Sequence, residues 1–126
     1  MNFEKKLALS VDGSVAAELV VSFTEHESEP DEFRVVVRRS PFKVPEGEAV
    51  WHVHEHDGVF SLQITTQSVA SGVCLAGCLA GIVTGPLAEC LKKARTRKAV
   101  RECITKHGLW QTVGALSCIY GCLSIA

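Results

Sequence analysis

All six cysteines of this chain lie in its last 53 residues, at positions 74, 78, 90, 103, 118 and 122. The list is nearly symmetric. Cys74 with Cys122 and Cys78 with Cys118 share a midpoint at residue 98, and Cys90 with Cys103 centre on 96.5. A helical hairpin turning near residue 97 would bring the three pairs level. The expected bridges are therefore nested: Cys74–Cys122, Cys78–Cys118 and Cys90–Cys103. Six cysteines admit fifteen connectivities, and symmetry and geometric reach are what favour this one.

Cysteines at this density suit an oxidising compartment, because so small a body buries too little apolar surface to be securely stable unaided. Each bridge contributes on the order of 2–4 kcal/mol by restricting the unfolded chain. The competing reading is six reduced thiols packed as small hydrophobes. A secretion signal does not stand out: Lys5 and Lys6 precede an apolar run, Leu7 to Val11, that Asp12 cuts short. A signal core needs about 7–15 uninterrupted apolar residues. The expected localisation is secreted, after processing, by a route without a recognisable N-terminal signal.

Charge divides the chain where the cysteines do. Residues 1–66 carry six basic side chains against twelve acids, a formal charge of −6. Residues 67–126 carry Lys92, Lys93, Arg95, Arg97, Lys98, Arg101 and Lys106 against Glu89 and Glu102, a formal charge of +5. Two units are expected: an acidic, β-rich, propeptide-like domain over 1–66 and a cationic, six-cysteine helical domain over 67–126.

In the acidic half, residues 5–11 alternate with Leu7, Leu9 and Val11 on one face, Asp12-Gly13 marks a turn, and 17–24 are rich in strand formers. An acidic loop over Glu25 to Glu32 leads to a third strand, 33–39, ended by Ser40-Pro41, with Pro45 and Gly47 in the next connection. Asp57-Gly58 supplies the two positive-φ positions of a type I′ hairpin turn. That turn pairs Trp51 with Ile64, Val53 with Leu62 and Glu55 with Phe60, and on the opposite face His52 with Gln63, His54 with Ser61 and His56 with Val59. About five antiparallel strands result, with the apolar set on one side. His52, His54 and His56 share a face and are candidate zinc or copper ligands. The register also makes that face the solvent side, where three polar residues need no metal to explain them.

Residues 67–88 carry no charge, and Gly77, Gly81 and Gly85 recur every fourth position. Such spacing lets helices approach closely, in a membrane or in a bridged soluble pair. Pro86 should break this helix and start a second, to about Ala94; a third over about 98–106 should stop at His107-Gly108, glycine suiting the C′ position. A fourth, again uncharged, covers about 109–124. The fold class is thus α+β: a small antiparallel sheet, then a disulfide-stapled all-α hairpin or four short helices.

The cysteine order resembles that of saposin-like domains, and is similar to disulfide-nested helical bacteriocins of the glycosylated two-helix class and the halocin type. The resemblance covers about residues 70–125. It departs from the saposin-like pattern in spacing the outer cysteines by three residues instead of two, and no functional residue is carried over. It implies a precursor from which a cationic helical core is released. The residues themselves point the same way, with two uncharged helices flanking a basic middle segment. Lys92, Lys93, Arg95, Arg97, Lys98 and Arg101 would meet anionic membrane lipids, and Trp110 is suited to the interface. The expected function is the precursor of a secreted antimicrobial peptide, with a processing protease and an exporter as further partners. A cut is expected between Thr65 and Gly72.

Two alternatives come from other classes. One is a small integral membrane protein with a two-helix hairpin and a soluble N-terminal part; the other is a cytosolic metal binder using the cysteines or the three histidines. Cys-x3-Cys, twice, is poorer zinc geometry than closely spaced loop cysteines. No nucleophilic motif, Gly-rich phosphate loop or carboxylate pair indicates an enzyme, no cofactor is implied, and the sparse basic residues lack the interleaved aromatics of a nucleic-acid binder.

Overall fold

A computed structural model describes residues 2–11, 13–39, 45–69 and 73–125. Asp12 of the first turn, the Ser40-Pro41 stop and residues 70–72 of the expected junction lie outside the described residues. Five strands, β1 (Phe3–Val11), β2 (Ser14–Thr24), β3 (Glu32–Arg39), β4 (Pro45–His56) and β5 (Val59–Val69), form an antiparallel meander in the order β1-β2-β3-β4-β5. The architecture is α+β, with helices following the sheet.

The β4–β5 register is the one that Asp57-Gly58 dictates. Asp57 and Gly58 have φ of 50° and 77°, and every pair from His56–Val59 back to Trp51–Ile64 matches. The register then shifts: Val50 pairs with Thr66, leaving Thr65 as a bulge. Thr65 Oγ1 donates to the Val50 carbonyl at 3.1 Å and lies 2.9 Å from His52 Nδ1.

Several boundaries differ from the sequence reading: β1 and β2 begin earlier, at Phe3 and Ser14 instead of 5 and 17. Pro45 and Gly47 belong to β4 instead of a connection, and β5 runs past residue 66 to Val69. Pro45 is the first residue of its strand, where its missing N–H is tolerated. Gly47 is a point of close approach. A Cβ there would lie 2.9 Å from Leu75 Cδ2, 3.2 Å from Leu79 Cδ1 and 3.2 Å from Val69 Cγ1. Leu75 and Leu79 are fully buried and have nowhere to retreat. Gly47→Val should therefore cost about 2 kcal/mol through overpacking, despite valine's strand preference, as a lower urea midpoint with unchanged slope.

The helices are α1 (Val73–Ala80), α2 (Gly85–Lys93) and α3 (Arg97–Cys103), a π-helical turn at Ile104–Gly108, then α4 (Leu109–Gly114) and α5 (Leu116–Ile125). Pro86 sits in the first turn of α2, as its fixed φ favours. Thr96 caps α3, its hydroxyl accepting from the Ala99 amide at 3.1 Å. The expected stop at Gly108 does not occur. Gly108 has φ −59° and ψ −47°, and the chain continues as a bent helix into α4. Packing explains the glycine instead: a Cβ would meet the Phe33 ring at 3.2 Å.

One apolar core joins the two halves. Leu19, Val21 and Phe23 of β2, Phe33, Val35 and Val37 of β3, and Ala49 and Trp51 of β4 face Leu75, Leu79, Leu87, Leu91, Val100, Ile104 and Ile119 of the helices. The alternating strand pattern puts its apolar face here, while the other face carries Arg34 paired with Glu32 (2.9 Å) and Glu48 (3.2 Å).

Candidate functional site

The bridges join Cys74 to Cys122, Cys78 to Cys118 and Cys90 to Cys103, with Cα separations of 5.7, 5.9 and 5.8 Å. These are the three nested pairs given by the near-symmetric positions. The first two staple α1 to α5, and the third ties α2 to α3. Cys78 Sγ and Cys122 Sγ, on different bridges, lie 3.4 Å apart.

By length and composition Val73–Lys93 could cross a membrane. Here it is two helices separated by a break at 81–84, with Leu75, Leu79, Ile82, Leu87 and Leu91 buried in the core. The outer side of the bridged pair is uncharged. Between α1 and α4–α5 runs a groove of ~360 Å³ whose lining includes Gly77, Gly81, Gly114 and Trp110. Trp110 is 72% exposed, and Val113 and Tyr120 are also exposed.

The basic residues divide into two sets. Lys93, Lys98 and Lys106 are exposed. Lys92 lies 3.5 Å from Glu89, and Arg95 donates to the Lys92 carbonyl at 3.1 Å. Arg97 and Arg101 instead reach across to the sheet half and converge on Asp31, whose side chain is 1% exposed. Arg97 donates to Asp31 Oδ1 at 2.8 Å and to the His26 carbonyl at 3.1 Å. Arg101 Nε donates to Asp31 Oδ2 at 2.9 Å, and its Nη1 lies 3.7 Å from Glu25. The His26 amide donates to Asp31 Oδ1 at 3.1 Å, and the Asp31 carbonyl accepts from the Val53 amide at 3.0 Å.

Burial acts to raise the Asp31 pKa, but the Arg101 hydrogen bond, the His26 amide and the two guanidinium charges outweigh it and hold the carboxyl below its ordinary value. The Asp31 hydrogen bond correspondingly raises the Arg101 pKa. Two further ties cross between the halves: Arg39 donates to the Leu123 carbonyl at 2.7 Å, and Gln67 to the Ala76 carbonyl at 2.6 Å.

Sequence reasoning placed Arg97 and Arg101 in a membrane-facing cationic set and treated Asp31 as one acid among many in a loop. The signal available was Arg97-x3-Arg101, two guanidiniums one helical turn apart, but their partner lies 66 and 70 residues away.

The three histidines do not form a joint ligand set. His52 is engaged with Thr65 and lies 3.6 Å from Glu32, while His56 is 94% exposed beside Asp57. His54 Nε2 is buried without a hydrogen-bond partner among the described residues. The one group of three or more metal-donor side chains brought within reach, among the described residues, is Cys74, Cys78 and Cys122. Zinc or copper titrated into the oxidised chain should show only weak surface binding by calorimetry. A stoichiometric submicromolar site abolished by His54→Ala would contradict that expectation.

Comparison with known protein families, with characterised proteins and with solved structures finds no match.

Proposed function

We propose that the chain is the precursor of a secreted, membrane-active antimicrobial peptide, the helical half being the active part and the sheet its restraint. One observation carries this reading: the sheet covers the apolar face of the bridged helices, and Asp31 binds two of their cations. Removing residues 1–70 would free both features that an anionic bilayer recognises. Leu75, Leu79, Ile104 and Ile119 would lose their cover, and Arg97 and Arg101 would join Lys93, Lys98 and Lys106 as available charge. The exposed Trp110 and Tyr120 are amphipathic side chains of the kind that sit at headgroup level.

The test is dye release from vesicles. The oxidised fragment 71–126 should permeabilise anionic vesicles more than neutral ones, less at high salt, and more than the full chain does. Neutralising Lys92, Lys93, Arg95, Arg97 and Lys98 together should weaken binding by up to about 1 kcal/mol per charge near the surface. An oxidised fragment that leaves both vesicles and bacteria untouched would remove the basis for the proposal.

A further inference from the structure

The chain carries two Cys-x3-Cys pairs on facing, bridged helices, and the hairpin determines where their sulfurs fall. Cys74 and Cys78 are one turn apart on α1, and Cys118 and Cys122 are one turn apart on α5. Across the seam the Cα atoms are 5.7 and 5.9 Å apart, and along each helix one turn is about 6 Å. The four positions are thus the corners of a near-square about 6 Å on a side. The sulfurs of Cys74, Cys78 and Cys122 all lie within 4.8 Å of one another, and that of Cys118 is bonded to Cys78.

We propose that the reduced chain binds one zinc ion at Cys74, Cys78, Cys118 and Cys122. A tetrahedral tetrathiolate site has Zn–S bonds of about 2.3 Å, hence sulfurs about 3.8 Å apart. The 3.4 Å between Cys78 Sγ and Cys122 Sγ is already close to that edge. The bonded pairs need only part by about 2 Å, within reach of thiol rotamer changes and a slight widening of the seam. A Cys-x3-Cys pair alone is poorer zinc geometry than closely spaced loop cysteines. But i and i+4 on a helix is the spacing with which paired histidines hold zinc in metalloproteases, and here the facing helix supplies the second pair. Cys74 and Cys118 are exposed, giving the ion a path in, whereas Cys78 and Cys122 are buried. No electron moves in this step: the thiols release their protons to solvent as Zn–S bonds form. The third pair, Cys90 and Cys103, is bridged separately and stands outside the cluster. One hairpin is then stapled by metal where thiols persist and by disulfides where they do not. The site is independent of the membrane proposal, which concerns the oxidised chain.

The experiment uses the full chain, reduced with a phosphine under anaerobic conditions, titrated with cobalt(II) and then zinc(II). One equivalent of cobalt should give the intense visible bands of a tetrahedral tetrathiolate, bleached by one equivalent of zinc, with helix content by circular dichroism rising or holding on metal addition. Cys90→Ser/Cys103→Ser should retain this behaviour. Cys74→Ser/Cys118→Ser should lose the tetrathiolate spectrum and more affinity than the tenfold to hundredfold that removing a group hydrogen-bonded to a metal ligand costs. No uptake by the reduced chain would overturn the proposal, as would equal losses in both double variants or a tight site surviving without Cys74 and Cys118. Metal binding to a chain that stays non-helical would do the same.

Discussion

Replacing both outer bridges, as Cys74→Ser/Cys122→Ser/Cys78→Ser/Cys118→Ser, should lower the stability of the oxidised chain by about 6 kcal/mol, while replacing either alone should cost only about 2–3 kcal/mol. The disparity follows from nesting. With neither bridge present, restoring Cys78–Cys118 closes a loop that the Cys90–Cys103 bridge shortens to about 27 residues, for which chain entropy gives about 3.5 kcal/mol. With that bridge in place, Cys74–Cys122 closes only the short ring formed by the single helical turns between the bridges, of about eight residues, for about 2.5 kcal/mol. Whichever is removed first, the survivor still pins α1 to α5. Urea unfolding of the two double variants and the quadruple variant measures all three values. Additive losses of about 4 kcal/mol for each bridge would show that they act independently, contrary to the stacked geometry.

Asp31→Ala is expected to cost about 2–3 kcal/mol at neutral pH. The wild-type carboxylate accepts four hydrogen bonds from a buried position, three from guanidiniums and one from the His26 amide, and bonds to charged groups are worth about 1.5–3 kcal/mol. The cost should stay below the roughly 3–5 kcal/mol of breaking a fully buried pair. Arg97 and Arg101 are 45% and 29% exposed and can rehydrate when their partner is gone. The pH dependence has a definite sign. Because the folded Asp31 pKa lies below its unfolded value, its contribution is complete above the unfolded pKa, near 4, and is lost as pH falls through the folded pKa. Urea midpoints of wild type and Asp31→Ala should therefore converge on acidification. A constant gap from pH 7 to pH 2 would mean that Asp31 acts through packing and not through charge.

What could be read from the residues was whatever a local rule determines. Asp57-Gly58 admits one tight turn and so sets six pairs of register, until Thr65 inserts itself; nothing in Ile64-Thr65-Thr66 distinguishes a bulge from a straight strand. The cysteine pairing was legible because helical period and antiparallel return together leave few ways to bring six sulfurs level. Gly108 was misread for the complementary reason. A glycine after His107 looks the same whether it ends a helix or makes room for Phe33, 75 positions earlier in the chain. Asp31 was invisible in the same way: among Glu25, Glu27, Glu29 and Glu32 it has no local distinction, and only the fold aims two arginines at it.

None of the three bridges crosses between sheet and helices. While the backbone is intact, the two parts face each other at the effective concentration of a short tether, on the order of millimolar. A single hydrolysis in the link between Val69 and Val73 would change the molecularity of the problem, leaving two chains whose association is second order. Their complex would then respond to dilution, which the intact chain does not. The same contacts that hold firmly within one chain would loosen by mass action between two, with no further chemistry at the interface.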